Sequence, residues 1–535
     1  MLRRCGRLLS LMLAAATLPV AAQSAPGPRR FVIAIGQEIT QAVPGTSRSS
    51  VVNQVSDLLF LRLGRYAGTS LGDRAAVPEL AKSWTRRDSV TLVFDLDPRA
   101  RWQDGTPVTS RDVIFSFTRA RDGRKVPLLA PLLSEITSVT SEGDGRVIIR
   151  FARAYGEQLY DATYHVHILP EHLVAAIPAD SLATSAFARA PVGSGAYRWD
   201  GLEPGQYLQL RAVPDFFLGK PAIEQVVWRF TTSQETRLNL LLSGEADVQE
   251  DIIPPLSNLA RLKERPSLRV SHIPSMSVNY LLFNQRAPTD TSRPHAIFSD
   301  VQVRRALTIG LDRETITQAL FGKYASLASS PAASAAWFGG LAPPQAKFDP
   351  REAARILASR GWKDSNGDGV LDRDGIALAF SVLALSSSAA RLQMALIVQE
   401  QWRKIGVKVD IVPLEGPDIS KRRRAGTFDV VMENVSWEPS PWSMVDRWGC
   451  GADGNYGHYC SATADSLLKA AHLTVRDPAP PIRAWLQTVA NDFPAVFVYS
   501  ADRVVAMPSV YGNVNFHVES PWLMIWTWTL AGASR

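Results

Sequence analysis

The feature that most constrains the fold lies in residues 348–414, where helix signals and strand signals alternate at short range. In "FDPREAARILASRG", Asp349 stands at a cap position, Pro350 fits the first helical residue, Glu352 completes a capping box and Gly361 supplies the stop. A second helix is predicted with Leu392, Leu396 and Trp402 on one stripe and an end at Gly406, after which "VKVDIVPL" alternates as a strand. The same interleaving runs along the chain. "FVIAIG" (31–36), "VTLVFDL" (90–96), "RVIIRFA" (146–152), "GQYLQLRAV" (205–213) and "IEQVVWRF" (223–230) read as strands. "DGTPVTSRDVIFSFTRA" starts a helix near Thr109 or Ser110, with Asp112 favouring its N-terminus, and "SQETRLNLLLSGEADV" is a helix ended by Gly244. Such alternation argues for α/β lobes rather than a sandwich or a bundle. At 535 residues the chain exceeds one hydrophobic core, so several domains are expected.

The N-terminus reads as an export signal. Arg3, Arg4 and Arg7 precede "LLSLMLAAATLPVAA", which is too short to span a bilayer and ends in small residues. Residues 1–22 are therefore predicted to be a signal peptide cleaved after Ala22, giving a soluble periplasmic protein; Cys5 lies on the wrong side for a lipid anchor. Losing those three arginines lowers the formal charge from +7 to +4. The remaining basic residues are scattered, and "KRRR" (421–424) reads as a solvated helix end, so no nucleic-acid partner is expected. Two cysteines remain, Cys450 and Cys460 in "CGADGNYGHYC", and an oxidising compartment predicts a disulfide between them.

Three local patterns suggest chemistry. "KDSNGDGVLDRDG" (363–375) sets Asp364, Asn366, Asp368 and Gly369 at EF-hand positions, but Gly375 stands where a bidentate acid is required and a strand-like run follows. Tight turns at Asn366-Gly367 and Asp368-Gly369 are the favoured reading. "GTSLG" (68–72) matches a nucleophile elbow, which would make Ser70 the nucleophile of a secreted serine hydrolase; "DRAAVPE" follows where a helix is needed. In "YHVHILPEH", His165 and His167 would share a face if the segment were a strand, with His172 beyond Pro170. Packing or surface roles are favoured for all three. No metal and no cofactor is expected.

Four segments together resemble the extracytoplasmic solute-binding proteins of ABC importers, in the peptide/nickel-binding family 5. They are "VPELAKSWTRRDSVTLVFDLDPRARWQDGTPVTSRDVIFSF" (77–117), "PVGSGAYRWDGLEPGQYLQLRAVPDFFLGKPAIEQVVWRF" through "TRLNLLLSGEADV" (191–248), "NYLLFNQRAP" through "FSDVQVRRALTIGLDRETI" (279–316), and residues 348–410. The resemblance implies a two-lobed α/β fold with a hinge, in the larger form with three subdomains. Domain I would comprise 23–55, 191–272 and 500–535, domain II 56–190, and domain III 273–499. It also implies a non-enzymatic protein, a monomer, that closes on a small peptide or peptide-like solute and delivers it to an inner-membrane permease and its ATPases.

The chain departs from the family pattern at two places. Asp97, followed by Pro98, replaces a usual basic residue after the signature strand. Peptide-binding members carry an acid that pairs with the peptide α-amino group shortly before an acid-proline step. In "FDVVMENVSWEPSPW", counting back from the proline puts Val435 at that position, whereas counting forward from Phe428 puts Glu438 there. Either Glu438 replaces the amine-binding acid or the acid is absent. The expected ligand-binding residues are Trp437 and Glu438, then Asn434 and Glu433, with Gln37 and Glu38 beyond the first strand. The resemblance also supports the Cys450–Cys460 bond and a structural role for Arg304 and Arg305.

Overall fold

The computed structural model describes residues 29–531, apart from 48, 67, 69–75, 123–125, 127–128, 250–256, 345 and 519. The export signal (1–22) and Ser70 lie outside the described residues.

The first lobe holds two sheets. Arg30–Ile35 lies between Gln225–Phe230 and Val248–Gln249, parallel to both, and Tyr207–Ala212 and Tyr197–Glu203 extend the sheet antiparallel. "FVIAI" is apolar without alternation because both its faces are covered. Phe31, Ile33 and Ile35 enter the main core, while Val32 and Ala34 pack with Val227 and Leu240. Leu240 belongs to helix Gln234–Ser243, which is capped by Ser233 and ended by Gly244 at φ +79°. The second sheet, ordered Ala81–Asp88, Thr91–Leu96, Arg146–Phe151 and Ile136–Ser141, is antiparallel. Helix Ser110–Arg121 contributes Val113 and Phe117 to the core, and the Asp112 carboxylate accepts the Thr109 N–H at 2.8 Å. Asp97 is half of a local turn: it accepts the Arg99 N–H at 2.9 Å and pairs with the Arg99 guanidinium at 2.7 Å.

Helix Ser50–Leu59 meets the first sheet where "PVGSGAY" passes its C-terminal end. A Cβ at Gly193 would stand 1.9 Å from the Leu59 carbonyl oxygen, and one at Gly195 would stand 2.2 Å from that of Leu58. Only glycine allows that backbone approach.

The second lobe is built on a six-stranded mixed sheet, ordered Ala325–Leu327, Ala495–Ala501, Ser277–Phe283, Val430–Ser436, Ala379–Leu385 and Lys408–Leu414. All seven residues of Ser277–Phe283 are buried. Helices Val301–Ile309, Pro350–Ser359 and Ala389–Arg403 cover one face through Leu307, Ile356, Val398 and Trp402. Arg304 donates to the carbonyls of Phe298, Asp492 and Phe493, which is a structural use of its guanidinium. Cys450 and Cys460 form a disulfide, and Asn455 within the loop donates to the carbonyls of Gly449 and Tyr459. The chain passes between the lobes on two strands that lie side by side, Leu268–Ile273 antiparallel to Arg503–Pro508.

The EF-hand-like segment is a turn. Asp364 accepts the N–H groups of Gly367 (2.7 Å) and Gly369 (3.0 Å), and Asp368 accepts that of Val370 at 2.8 Å. Asp374 and Gly375 both have positive φ and join the hairpin Asp372–Arg373/Ile376–Ala377, after which strand Ala379–Leu385 replaces the second helix of an EF-hand. Asp364→Ala is expected to cost about 1–2 kcal/mol by removing an acceptor for two amides. Thermal unfolding in calcium and in chelator should give the same loss; a loss confined to calcium buffer would restore the metal reading.

Candidate solute-binding cleft between the lobes

Strand Val430–Ser436 carries four of the six sequence-predicted site residues to the edge of the second lobe, either within the strand or just beyond it. Its side chains alternate. Val431 and Val435 face the core that also holds Trp437 and Met444, while Val430 and Met432 face the helix-covered core. Asn434 and Ser436, towards the open end, are exposed. Asn434 stands opposite Asn279, which stands opposite Tyr499.

The four residues have different environments. Glu433 is buried and is held by Arg423 Nη1 at 2.8 and 2.9 Å, with Arg447 at 4.0 Å. Both guanidiniums lie over the Tyr456 ring, at 4.5 and 5.3 Å. Glu433 is thus committed to an internal ion pair. Trp437 is 6% exposed and its backbone N–H donates to Met276. Its indole Nε1 is buried without a hydrogen-bond partner among the described residues, and the ring lies in the core that holds Met276 and Met444. Glu438 is different: its side chain keeps 39% exposure, and Oε2 faces His165 Nδ1 of the first lobe at 3.8 Å. Gln37 donates to Ser49, and Glu38 accepts the Gly205 N–H at 2.8 Å. Their partners lie within the first lobe, so the structure does not bring these two together with residues 433–438.

The lobes meet beside Glu438. Ser440 donates to Glu157 at 2.6 Å and His472 Nδ1 lies 3.3 Å from the same oxygen. Trp337 of the second lobe packs against Tyr66 and Tyr160 of the first and donates its Nε1–H to Pro439 at 3.0 Å. A Cβ at Gly156 would stand 2.5 Å from the Thr474 carbonyl oxygen. None of these contacts is visible in a local motif; of their members the sequence reading used only Pro439, as the proline of the acid-proline step.

The histidines do not form the pair that a strand would give, because residues 164–170 are irregular. His165 lies 3.3 Å from Asp161. His167 turns to Asp57 at 2.9 Å, and burial together with the Arg62 charge pushes its pKa down to about 4. His172 pairs with Asp104 at 2.7 Å. Among the described residues, no group of three or more His, Cys, Asp or Glu is arranged to hold a metal ion.

The profile of bacterial extracellular solute-binding proteins, family 5 middle, matches residues 75–456. The chain belongs to that family. Oligopeptide-binding protein AppA of Bacillus subtilis is 26% identical over 82% of this chain and 81% of its own length. The peptide transport periplasmic protein SapA of Salmonella typhimurium is 25% identical over 95% of both. The structure of AppA from Bacillus subtilis in complex with a nonapeptide shares the fold, with a TM-score of 0.78 at 24% identity, covering 94% of this chain and 99% of that one. In this family 5 solute-binding protein, no helix among the described residues is long and apolar enough to cross a membrane.

The difference between Glu433 and Asn434 can be measured without a ligand. Glu433→Ala leaves two guanidiniums without their carboxylate and is expected to cost about 3–5 kcal/mol. Asn434→Ala, on the exposed face, should stay within about 0.5 kcal/mol of wild type. Denaturant titration checks both, and equal losses would contradict the assignment of Glu433 to an internal pair.

Proposed function

We propose that this protein captures a small peptide or peptide-like solute between its lobes and delivers it unchanged to an inner-membrane ABC permease driven by its ATPases. In this reading it acts in the periplasm as a monomer and has no catalytic role. Domain I is built from 23–55, 191–272 and 500–535, domain II from 56–190, and domain III from 273–499.

The observation that carries the reading is Glu438 at the lobe boundary, a partly exposed side chain whose Oε2 is buried without a hydrogen-bond partner among the described residues, two residues past the exposed Ser436. A ligand ammonium loses water when the lobes shut, and a carboxylate at the boundary compensates that loss. Glu438 is thereby assigned as the α-amino partner. The strand edge at 434–436 supplies backbone and side-chain groups to the peptide main chain, which tolerates varied side chains when water fills the gaps. The peptide-related names of AppA and SapA support the same solute class.

Native mass spectrometry of the mature protein isolated from the periplasm should release peptides of unaltered covalent structure. Such a solute at a hundredfold excess over Kd should stabilise the fold by about 2.7 kcal/mol. Glu438→Gln should weaken binding of free-amine peptides at least about tenfold and leave N-acetylated peptides unaffected. Equal binding of both peptide forms by wild type would remove Glu438 from the amine site, and a cleaved product would contradict the transport reading.

A further inference from the structure

The contact between the lobes contains more ionisable groups than a structural interface requires. From the first lobe come Glu157, Asp161 and His165, each under 9% exposed; from the second come His472, also under 9%, and Glu438. Tyr155 donates to Asp161 at 2.5 Å and its ring lies 5.0 Å from that of His472, while Trp442 stacks on the same imidazole at 4.6 Å. Leu473 packs onto the core of the first lobe.

The formal charges do not balance. Three carboxylates face two imidazoles, so the cluster has a formal charge of −3 when both imidazoles are neutral and −1 when both carry a proton. Like charges brought together in a buried contact repel strongly, and the ion-pair contacts of all three carboxylates include an imidazole. Glu135, whose charge also acts on His472, is held by Arg153 at 3.0 Å. Arg86 donates to the side chain of Gln158, the neighbour of Glu157. Two of the contacts, Glu157 to Ser440 and Glu157 to His472, exist only while the lobes touch.

We propose that this cluster is a proton-loaded latch: shutting the lobes takes up a proton shared by the facing pair His472 and Glu157, so the closed form gains population as pH falls. The directions of the pKa shifts agree. Burial lowers the pKa of His472, but the Glu157 hydrogen bond and the surrounding carboxylates outweigh it, and the net shift is upward. Burial raises Glu157 more than His472 and Ser440 lower it. In His165, burial is likewise overcome by Asp161 and Glu438, and the net shift is upward. The His472–Glu157 contact exists only while the lobes touch, so the proton that it binds favours the closed form below the open-state pKa of the pair. That advantage disappears as pH climbs through the closed-state values. Solute capture would accordingly tighten in a mildly acidic periplasm. This reading rests on lobe closure, the same motion as the proposed transport function, but the test below needs no solute.

Spin labels at Asp144→Cys and Lys469→Cys, exposed sites on opposite lobes, report the interlobe distance by double electron–electron resonance. The ratio of closed to open form is expected to rise at least about threefold from pH 8 to pH 6. His472→Gln and Glu157→Gln should each flatten that dependence. Gly156→Ala, which meets the Thr474 carbonyl, should hold the lobes apart at both pH values and so separates steric contact from proton uptake. Circular dichroism confirms folding, and the NMR titration of His472 should give a pKa above that of free histidine. A distance distribution that is the same at pH 6 and pH 8 would overturn the proposal, as would a wild-type pH dependence kept by His472→Gln. Either result would leave solute binding at Glu438 untouched, since that is read separately from peptide affinity.

Discussion

Leu268 to Ile273 pair residue by residue with Pro508 to Arg503, and this two-stranded ribbon joins the lobes. Its hydrogen bonds run between the two crossings, so they persist while torsions at the ends of the ribbon change. Val505 and Met507 anchor it in the first lobe's core, and the chain enters the fully buried Ser277–Phe283 strand soon after Ile273. The lobes themselves are closely packed and resist deformation. Relative motion is therefore concentrated at the ribbon, the arrangement that hinge closure requires.

That geometry gives the lobe boundary its importance. Residues on either side of it are assembled only when the lobes touch, and the boundary is rich in groups that are costly to bury alone. Glu438, Glu157 and His472 belong to this set, whereas Glu433 does not. Five residues before Glu438, Glu433 spends its charge on Arg423 inside the second lobe. Proximity along the strand is a poor guide to role here, because the strand alternates faces and its end leaves the sheet.

Much of the fold was legible in the sequence because its signals are local. The Asp349-Pro350 start, the Thr109/Asp112 cap and the Gly244 stop each follow from interactions within a few residues, and the unalternating "FVIAI" is a compositional sign of a strand covered on both faces. The turn at 364–375 was legible for the same reason: carboxylates bond amides two to five residues away. The lobe contact was not. Glu157 meets Ser440 across 283 positions and His472 across 315, and no period or motif in the sequence encodes a pairing that depends on how two lobes dock. The histidine pair failed through its premise, since the segment is not extended and His165 and His167 turn to different carboxylates.

Small-angle X-ray scattering tests the central claim, that two lobes shut around a solute, most directly. The mature protein would be freed of bound solute by unfolding and refolding, then measured alone and after addition of the peptide recovered from the periplasm. Closure is expected to reduce the radius of gyration and sharpen the interlobe feature of the distance distribution. Identical scattering curves with saturating peptide would contradict it.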